Sequence, residues 1–327
     1  MKAIVVHSEA KKPVLKWETV DDIGYEPHEV LVNVRATAVN RADLSQARGQ
    51  YPPPPGASEI LGLEMAGEIA AVGDAVAGWA IGDRVCALLP GGGYAEQAAV
   101  PADMLVRMPD EWSFTTGAAV MEVWLTAFSN LFMEGDLKPD ETILIHAGAS
   151  GVGTSAIQLA RHIGATVYVT AGSERKLARC RELGAALAVN YKEADFSTAA
   201  METSGGRGVD LILDPVGGPY LLQNLKVLRA GGRLVNIGLL GGTQGKMDMG
   251  LLLGKSLRLI GSRLRSRPLS QKIVITRDFE KTFWPLLVSG ILKPEIDSVY
   301  SITEAQTAHE YVAQNLNMGK VILKMDT

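Results

Sequence analysis

An apolar strand, a glycine-rich turn and a helix follow one another without a gap from Ile143 onward: ILIHAGASGVG runs directly into TSAIQLARHIGA. A strand that feeds a turn poor in side chains, which in turn opens a helix, places backbone N–H groups at a helix N-terminus. That is the layout of a βαβ unit whose first turn holds a dinucleotide pyrophosphate. The segment begins well past residue 120 of a 327-residue chain, so a large preceding region needs its own explanation.

The glycines read Gly148-Ala149-Ser150-Gly151-Val152-Gly153, a variant of the G-x-G-x-x-G fingerprint. Gly148 is expected to make the tight turn, while Gly151 and Gly153 let helix and backbone approach closely. Ser150 adds a hydroxyl near the phosphates. Glycine clusters also occur at ordinary helix starts, so the context carries the reading. Strands are expected at 142–146, 166–170, 187–190, 211–214 and 233–238, with a sixth at 257–262 and helices at 153–163 and 174–183. Short apolar strands alternating with helices imply a parallel sheet covered on both faces. On this reading Ala149, Ser150, Gly151 and Val152 hold the cofactor.

An NAD site places Asp or Glu at the end of the second strand to hold the ribose 2′-hydroxyl. Here Ala171, Gly172 and Ser173 fill that stretch, and Arg175 and Lys176 follow just beyond Glu174. A small polar turn with two cations suits a 2′-phosphate, so Gly172, Ser173 and Lys176 point to NADPH. Read otherwise, the two cations are an ordinary solvated first helical turn. Tyr191, after the third strand, either covers an adenosine or phosphate edge or ends its strand as a core aromatic.

The first hundred residues read as strands. Residues 2–6, 62–70 and 84–88 are candidates, and Val30, Val32, Val34 and Ala36 alternate with Leu31, Asn33, Arg35 and Thr37. Four prolines, Pro52 to Pro55, make 50–58 a stiff exposed loop, because proline donates nothing to a sheet. Residues 114–132 read as one long helix. After residue 264 a helix at 278–288 and a strand at 320–324 are expected. The length favours two domains, and the formal net charge of -4 argues against a dedicated nucleic-acid binder. Two cysteines cannot build a disulfide framework. No apolar run approaches the ~18–20 residues that span a bilayer. The MKAIVV start is too short for a signal peptide, and the expected location is the cytoplasm.

The ordered motifs VNRADL (39–44), YPPP (51–54), LGLE (61–64) with Ala66-Gly67, LLPGGG (88–93), WLTAF (124–128), His146 to Gly153, Asn190-Tyr191, Asp214 to Gly218, GLLGG (238–242) and NMGK (317–320) span nearly the whole chain. Together they resemble the medium-chain dehydrogenase/reductase superfamily, and within it the zinc-free quinone oxidoreductase branch, which is zeta-crystallin-like. The resemblance implies an α/β fold: a GroES-like β-rich catalytic domain over 1–122 and 264–327, and a Rossmann-type doubly wound parallel-sheet cofactor domain over 123–263. It implies an active site in the cleft between the domains. It also implies a homodimer, with an edge strand near Leu257 to Ile260 pairing across a two-fold axis.

Zinc wants tetrahedral nitrogen and sulfur ligands. By similarity the zinc-ligand positions fall at Asn40, Leu63 and near Glu122, and only Glu64 remains of that neighbourhood. The structural zinc lobe would need four cysteines between residues 91 and 109, and none is there. The expectation is no metal. Without a Lewis acid to stabilise an alkoxide, the chemistry shifts to reducing an acceptor that already takes a hydride or electrons readily.

Two residues are candidates for catalysis. Asn40 either bonds the nicotinamide ribose or the acceptor carbonyl, or is a strand-end turn residue. Tyr51 either donates its hydroxyl to a developing oxyanion or stacks on a flat quinone, or anchors its loop. Asp43 reads as a cap or brace for the helix-like stretch that follows. By resemblance, Thr126 contacts the nicotinamide, Gly238, Leu239 and Leu240 line its pocket with backbone atoms, and Asn317 reaches the cofactor phosphates, while Lys320 starts the last strand. No nucleophile–base pair is present, so no covalent intermediate is expected. The leading expectation is an NADPH:quinone oxidoreductase working by hydride or one-electron transfer. An NADPH-dependent enal or enone double-bond reductase is the alternative on the same scaffold. A third class, a nucleic-acid-binding or structural protein that keeps NADPH, rests on the basic cluster Lys255, Arg258, Arg263, Arg265 and Arg267.

Overall fold

The computed structural model describes residues 1–9 and 12–326. They form two compact units: residues 1–125 with 265–327, and residues 126–264.

The first unit opens with a two-stranded antiparallel ribbon, β1 (Lys2–Glu9) and β2 (Lys12–Thr19). Sequence reading ended the first strand at Val6 and missed the second, whose LKWET segment carries no clean alternation. The main sheet is built around β3 (Glu29–Val39), which pairs antiparallel with β4 (Glu64–Val72) and β6 (Gln97–Pro101). Val30, Val32, Val34 and Ala36 are all buried, as the alternation requires. β5 (Arg84–Leu88) and β7 (Leu105–Arg107) extend the sheet beyond β4. Between β3 and β4 lie the short helix α1 (Arg41–Ala47) and the proline loop, which is neither helix nor strand.

The helix expected over 114–132 is broken. Ser113 caps α2 (Phe114–Gly117), α3 follows at Met121–Phe128, and residues 129–134 form a π-helical turn. A Cβ on Gly117 would sit 2.7 Å from the Met108 sulfur. Glycine is a poor helix former, and here its missing side chain also makes room for Met108.

The second unit is a six-stranded parallel sheet. Its strands are β8 (Thr142–Ile145), β9 (Thr166–Ala171), β10 (Leu187–Asn190), β11 (Val209–Asp214), β12 (Leu228–Asn236) and β13 (Arg258–Gly261). Their order is β10-β9-β8-β11-β12-β13. The order reverses between β8 and β11, and ligands bind beyond the carboxyl ends of strands at such a switch point. The helices are α4 (Gly151–His162), α5 (Glu174–Glu182), α6 (Phe196–Thr203), α7 (Leu221–Val227) and α8 (Met249–Gly254). Leu144, Ile212, Leu225 and Leu234 share one core cluster with Phe196. β13 lies at the edge of the sheet, and Leu259 on it is 38% exposed.

The tail returns to the first unit. It forms α9 (Leu269–Thr282), α10 (Trp284–Val288), β14 (Ile296–Ser301), α11 (Ala305–Ala313) and β15 (Lys320–Lys324). The single helix expected at 278–288 is two helices separated at Phe283, with Pro285 in the first turn of the second. β15 pairs with β3 and with β14, completing the seven-stranded sheet. No helix is long and apolar enough to cross a membrane among the described residues.

Candidate active site

In the second unit the chain leaves β8 and turns at Ala147, whose φ of 52° is left-handed. The expected turn residue, Gly148, has a different job. A Cβ on it would lie 2.8 Å from the Val169 Cβ and 3.1 Å from the Cys180 sulfur. A Cβ on Gly153 would fall 2.5 Å from the carbonyl oxygens of both Ala147 and Gly148. Gly153 lets α4 press against its own entry loop, and Gly148 lets that loop press against β9 and α5.

Ser150 is the N-cap of α4, and its Oγ accepts the Gly153 amide at 3.0 Å. The Thr154 amide reaches the Ser150 carbonyl at 2.8 Å. The Gly151 and Val152 amides then open the helix with no acceptor inside it, on the positive end of its dipole. Ala149 is buried beside them. This loop fits a phosphate anion: a cradle that side chains would fill, and outward donors.

A buried network fixes the loop from behind. Asn224 Nδ2 donates to Asp214 Oδ2 at 3.1 Å, which leaves Asn224 Oδ1 facing His146 Nε2 at 2.8 Å. Nε2 must therefore carry the ring proton, and Nδ1 accepts from the Thr170 hydroxyl at 2.9 Å. Burial pushes the imidazole pKa below its ordinary value. The other Asp214 oxygen takes the amides of Val216 and Gly217 at 2.6 and 3.1 Å. Thus β8, β9 and the turn after β11 are tied together where all three end.

After β9, Ser173 is the N-cap of α5, yet its hydroxyl makes no capping bond. Arg175 is exposed and Lys176 half-buried in the first turn. A Cβ on Gly172 would lie 2.7 Å from the Tyr191 hydroxyl, so glycine lets Tyr191 lie against this turn. Tyr191 is 46% exposed and packs edge-on against Tyr220, 6.3 Å between centroids. The exposure fits a ligand-facing ring better than a core aromatic.

The 238–242 turn docks on the 215–218 turn. The Leu240 amide donates to the Pro215 carbonyl at 3.0 Å and the Gly241 amide to Val216 at 2.9 Å. The side chains of Leu239 and Leu240 are more than half exposed. Gly238 packs its α-carbon against Pro215. Thr126 is buried on α3, and its carbonyl takes the Asn130 side-chain amide at 2.7 Å.

In the first unit Asn40 directly follows β3 and caps α1. Its side-chain amide is held at both ends. Nδ2 donates to Glu64 Oε1 at 3.0 Å, and Oδ1 accepts from Lys320 Nζ at 2.6 Å. Lys320 Nζ also donates to Glu64 Oε1 at 2.6 Å, and Glu64 Oε2 accepts the Glu122 amide at 2.9 Å. Glu64, Lys320 and Asn40 are 0, 3 and 6% exposed.

Asp43 braces α1 as expected. It accepts the amides of Asn40 and Gly62 at 2.8 and 3.0 Å. Full burial raises its pKa to about 6, against the pull of those amides and of Lys320 and Arg265. The Tyr94 hydroxyl lies 3.4 Å from Asp43 and 3.1 Å from His309 Nε2, and burial lowers the pKa of His309 to about 3.

Tyr51 is half-buried on the proline loop, with the Arg265 guanidinium over its ring, 5.3 Å from the centroid. Arg265 is itself fixed by the Pro90 carbonyl and by Gln46, both at 2.7 Å. Asn317 Nδ2 donates to the Gly319 carbonyl at 2.8 Å and so shapes the turn into β15. The basic cluster disperses. The Lys255 ammonium caps the carbonyls of Leu225, Lys226 and Leu228, while Arg265 belongs to the other unit.

Residues 26–110 match the family model for an alcohol dehydrogenase GroES-like domain, and residues 151–286 match that for a zinc-binding dehydrogenase. A quinone oxidoreductase of Salmonella typhimurium is 33% identical over 315 residues, covering 94% of each chain. The chain also matches the pikromycin polyketide synthase component PikAII of Streptomyces venezuelae at 33% identity, but spans only 8% of that protein's length. Among solved structures, the Escherichia coli quinone oxidoreductase complexed with NADPH aligns with a TM-score of 0.88 at 28% identity, covering 99% of each chain. The CurK enoyl reductase aligns with a TM-score of 0.87 at 28% identity over 99% of each chain.

The second family description implies zinc, and the residues here do not fit it. Among the described residues no group of three or more His, Cys, Asp or Glu could hold a metal ion. Glu64 already has an ammonium on one oxygen and an amide on the other. Cys86 and Cys180 are buried in different units, and burial raises both thiols, Cys180 to about 12.

Sequence reading placed Lys320 only at the start of the last strand, without its contacts to Asn40 and Glu64, and it missed the His146–Asn224–Asp214 network. A lysine opening the otherwise apolar run KVILK was a usable signal for the first. His146, one residue before the glycine turn and flanked by apolar strand residues, was one for the second.

Proposed function

We propose a reaction for a chain that belongs to the zinc-free quinone oxidoreductase branch of the medium-chain dehydrogenase/reductase superfamily: reduction of a quinone at the expense of NADPH. The observation that carries the cofactor choice is the turn after β9. It has no acid at 171–173, a cap hydroxyl on Ser173 that makes no capping bond, and Arg175 and Lys176 in the first helical turn. An acid there would repel a 2′-phosphate, whereas a hydroxyl and cations attract one. The Escherichia coli quinone oxidoreductase, so similar in fold, is complexed with NADPH, which agrees with this reading.

Bound NADPH supplies the reducing equivalents. The protein's part is to bind and orient. The Gly151 and Val152 amides and the Ser150 hydroxyl take the pyrophosphate, with Ala149 closing the loop. Gly172, Ser173 and Lys176 take the 2′-phosphate, and Tyr191 covers the adenosine side. Thr126, the backbone of Gly238, Leu239 and Leu240, and Asn317 complete the cofactor set. Tyr51, its ring backed by Arg265, offers a flat face to a quinone and a hydroxyl to the oxygen that gains charge. Asn40 fixes the polar end of the reacting pair. No residue is arranged as an activated nucleophile, so the protein forms no covalent adduct.

Reduction of an enal or enone double bond is the second reading, favoured by the close fold likeness to the CurK enoyl reductase. A homodimer through the exposed edge strand β13 belongs to the same proposal, because an apolar edge gains from being covered. Steady-state NADPH oxidation with ortho-quinones, para-quinones and enals side by side, with product identification, tests the reaction. Turnover with quinones is expected. Turnover with enals alone would transfer the assignment to the second reading. Turnover with neither would sink both.

A further inference from the structure

The positions where a metal would be sought in this fold hold something else, an internal cation. We propose that Lys320 is a positioning residue for the reaction, its ammonium pinning the Asn40 amide and the Glu64 carboxylate in one fixed arrangement. The inference rests on the proposed role of Asn40 and deepens it.

The chemistry of the contacts leaves little freedom. An ammonium has only donors, so the atom of Asn40 facing it at 2.6 Å must be Oδ1. Nδ2 then faces the Glu64 carboxylate, an acceptor, at 3.0 Å, with a longer contact to the Ala38 carbonyl at 3.4 Å. A side chain amide can ordinarily flip, and here a flip would set an NH₂ against an ammonium and a carbonyl against a carboxylate. Lys320 and Glu64 thus assign the direction of the Asn40 dipole. Glu64 carries the same constraint onward, because its second oxygen holds the Glu122 amide, one turn before Thr126 on α3. One ammonium therefore fixes both Asn40 and the start of the helix that presents Thr126.

A purely structural ion pair would give a different result from a positioning one, and the double variant Lys320→Met/Glu64→Gln separates them. It removes both charges together at nearly constant volume, so the fold survives where the single Lys320→Met would leave a buried carboxylate unpaired. The expected outcome is a melting temperature near that of wild type, NADPH affinity within about threefold, and kcat for quinone reduction lower by roughly 10²-fold, the size of effect that a misplaced orienting group produces. Lys320→Arg, which keeps the charge, should recover part of kcat. A folded double variant with wild-type kcat would overturn the proposal.

Hydrogen exchange at the Glu122 amide supplies a readout that needs no turnover. Protection in wild type and loss of it in the double variant are expected; unchanged protection would overturn the pinning itself. If wild type reduced no acceptor, the functional reading would fall on its own while this exchange result still decided the pinning.

Discussion

The two polar clusters of the molecule are built in opposite ways. In residues 126–264 the cluster is left open. The Gly151 and Val152 amides have no acceptor within α4, the Ser173 hydroxyl makes no capping bond, and Arg175 is exposed. In residues 1–125 and 265–327 the cluster is closed, with Lys320, Glu64 and Asn40 satisfying one another out of water. An open cluster at a helix N-terminus gains free energy when an anion arrives. A closed one holds its shape before any ligand arrives, and breaking it leaves a charge stranded. The first is built to bind, the second to orient.

Single substitutions should separate the two most sharply. Lys320→Met leaves the Glu64 carboxylate buried without its cation and should cost about 3–5 kcal/mol of stability in denaturant unfolding. Lys176→Glu, in the open cluster, should change stability by less than about 0.5 kcal/mol. Comparable losses from the two would break the contrast.

Next in size is a pH effect inside the closed unit. The pKa of His309 is depressed to about 3, so its contribution to stability is present above its unfolded value near 6.5 and is lost as pH falls from there toward 3. Asp43 runs the other way. Raised to about 6, it contributes below its unfolded value near 4, and that contribution is lost as pH rises through 6. The His309 shift is the larger, so stability should fall on acidification from pH 6.5 to 4. Unfolding of His309→Gln across this range should show a flatter or reversed dependence, and an unchanged profile would refute the assignment.

Gly153→Ala would set a methyl 2.5 Å from two backbone carbonyl oxygens, neither of which can step aside. Fluorescence titration should find NADPH bound at least about tenfold more weakly, a change of about 1.4 kcal/mol. A smaller effect than that of Gly153→Ala is expected from Ser150→Ala, which removes the cap of α4 and should cost about 1 kcal/mol in thermal or chemical unfolding.

The parallel sheet could be read in the amino-acid string because its strands are buried on both faces, which makes short apolar runs bounded by glycine turns. β8 and β9, buried along nearly their whole length, match their expected bounds to within one residue for that reason. β2 could not be read, since a ribbon open to solvent on one face tolerates Lys16, Glu18 and Thr19 without a period. The long helix expected after Ser113 breaks after Gly117, a poor helix former that leaves room for Met108. The same limit applies to the site. The open cluster is local, written in six consecutive residues and the turn after the next strand. The closed one joins residues 40, 64, 122 and 320, and only the pairing of β15 with β3 brings Lys320 to Asn40. Ala147 taking the left-handed turn assigned to Gly148 is a smaller case, because the sequence spacing did not show that Gly148 must face Val169.

The most direct test is cofactor preference. Steady-state oxidation of NADPH and of NADH should be measured with one para-quinone, for wild type and for Lys176→Glu. A turn with no acid at 171–173 and two cations in the helical turn that follows predicts kcat/KM at least about tenfold higher for NADPH, with that ratio collapsing toward one in the variant through a rise in KM for NADPH alone. Equal use of the two cofactors by wild type, or a ratio unmoved by the charge reversal, would contradict it.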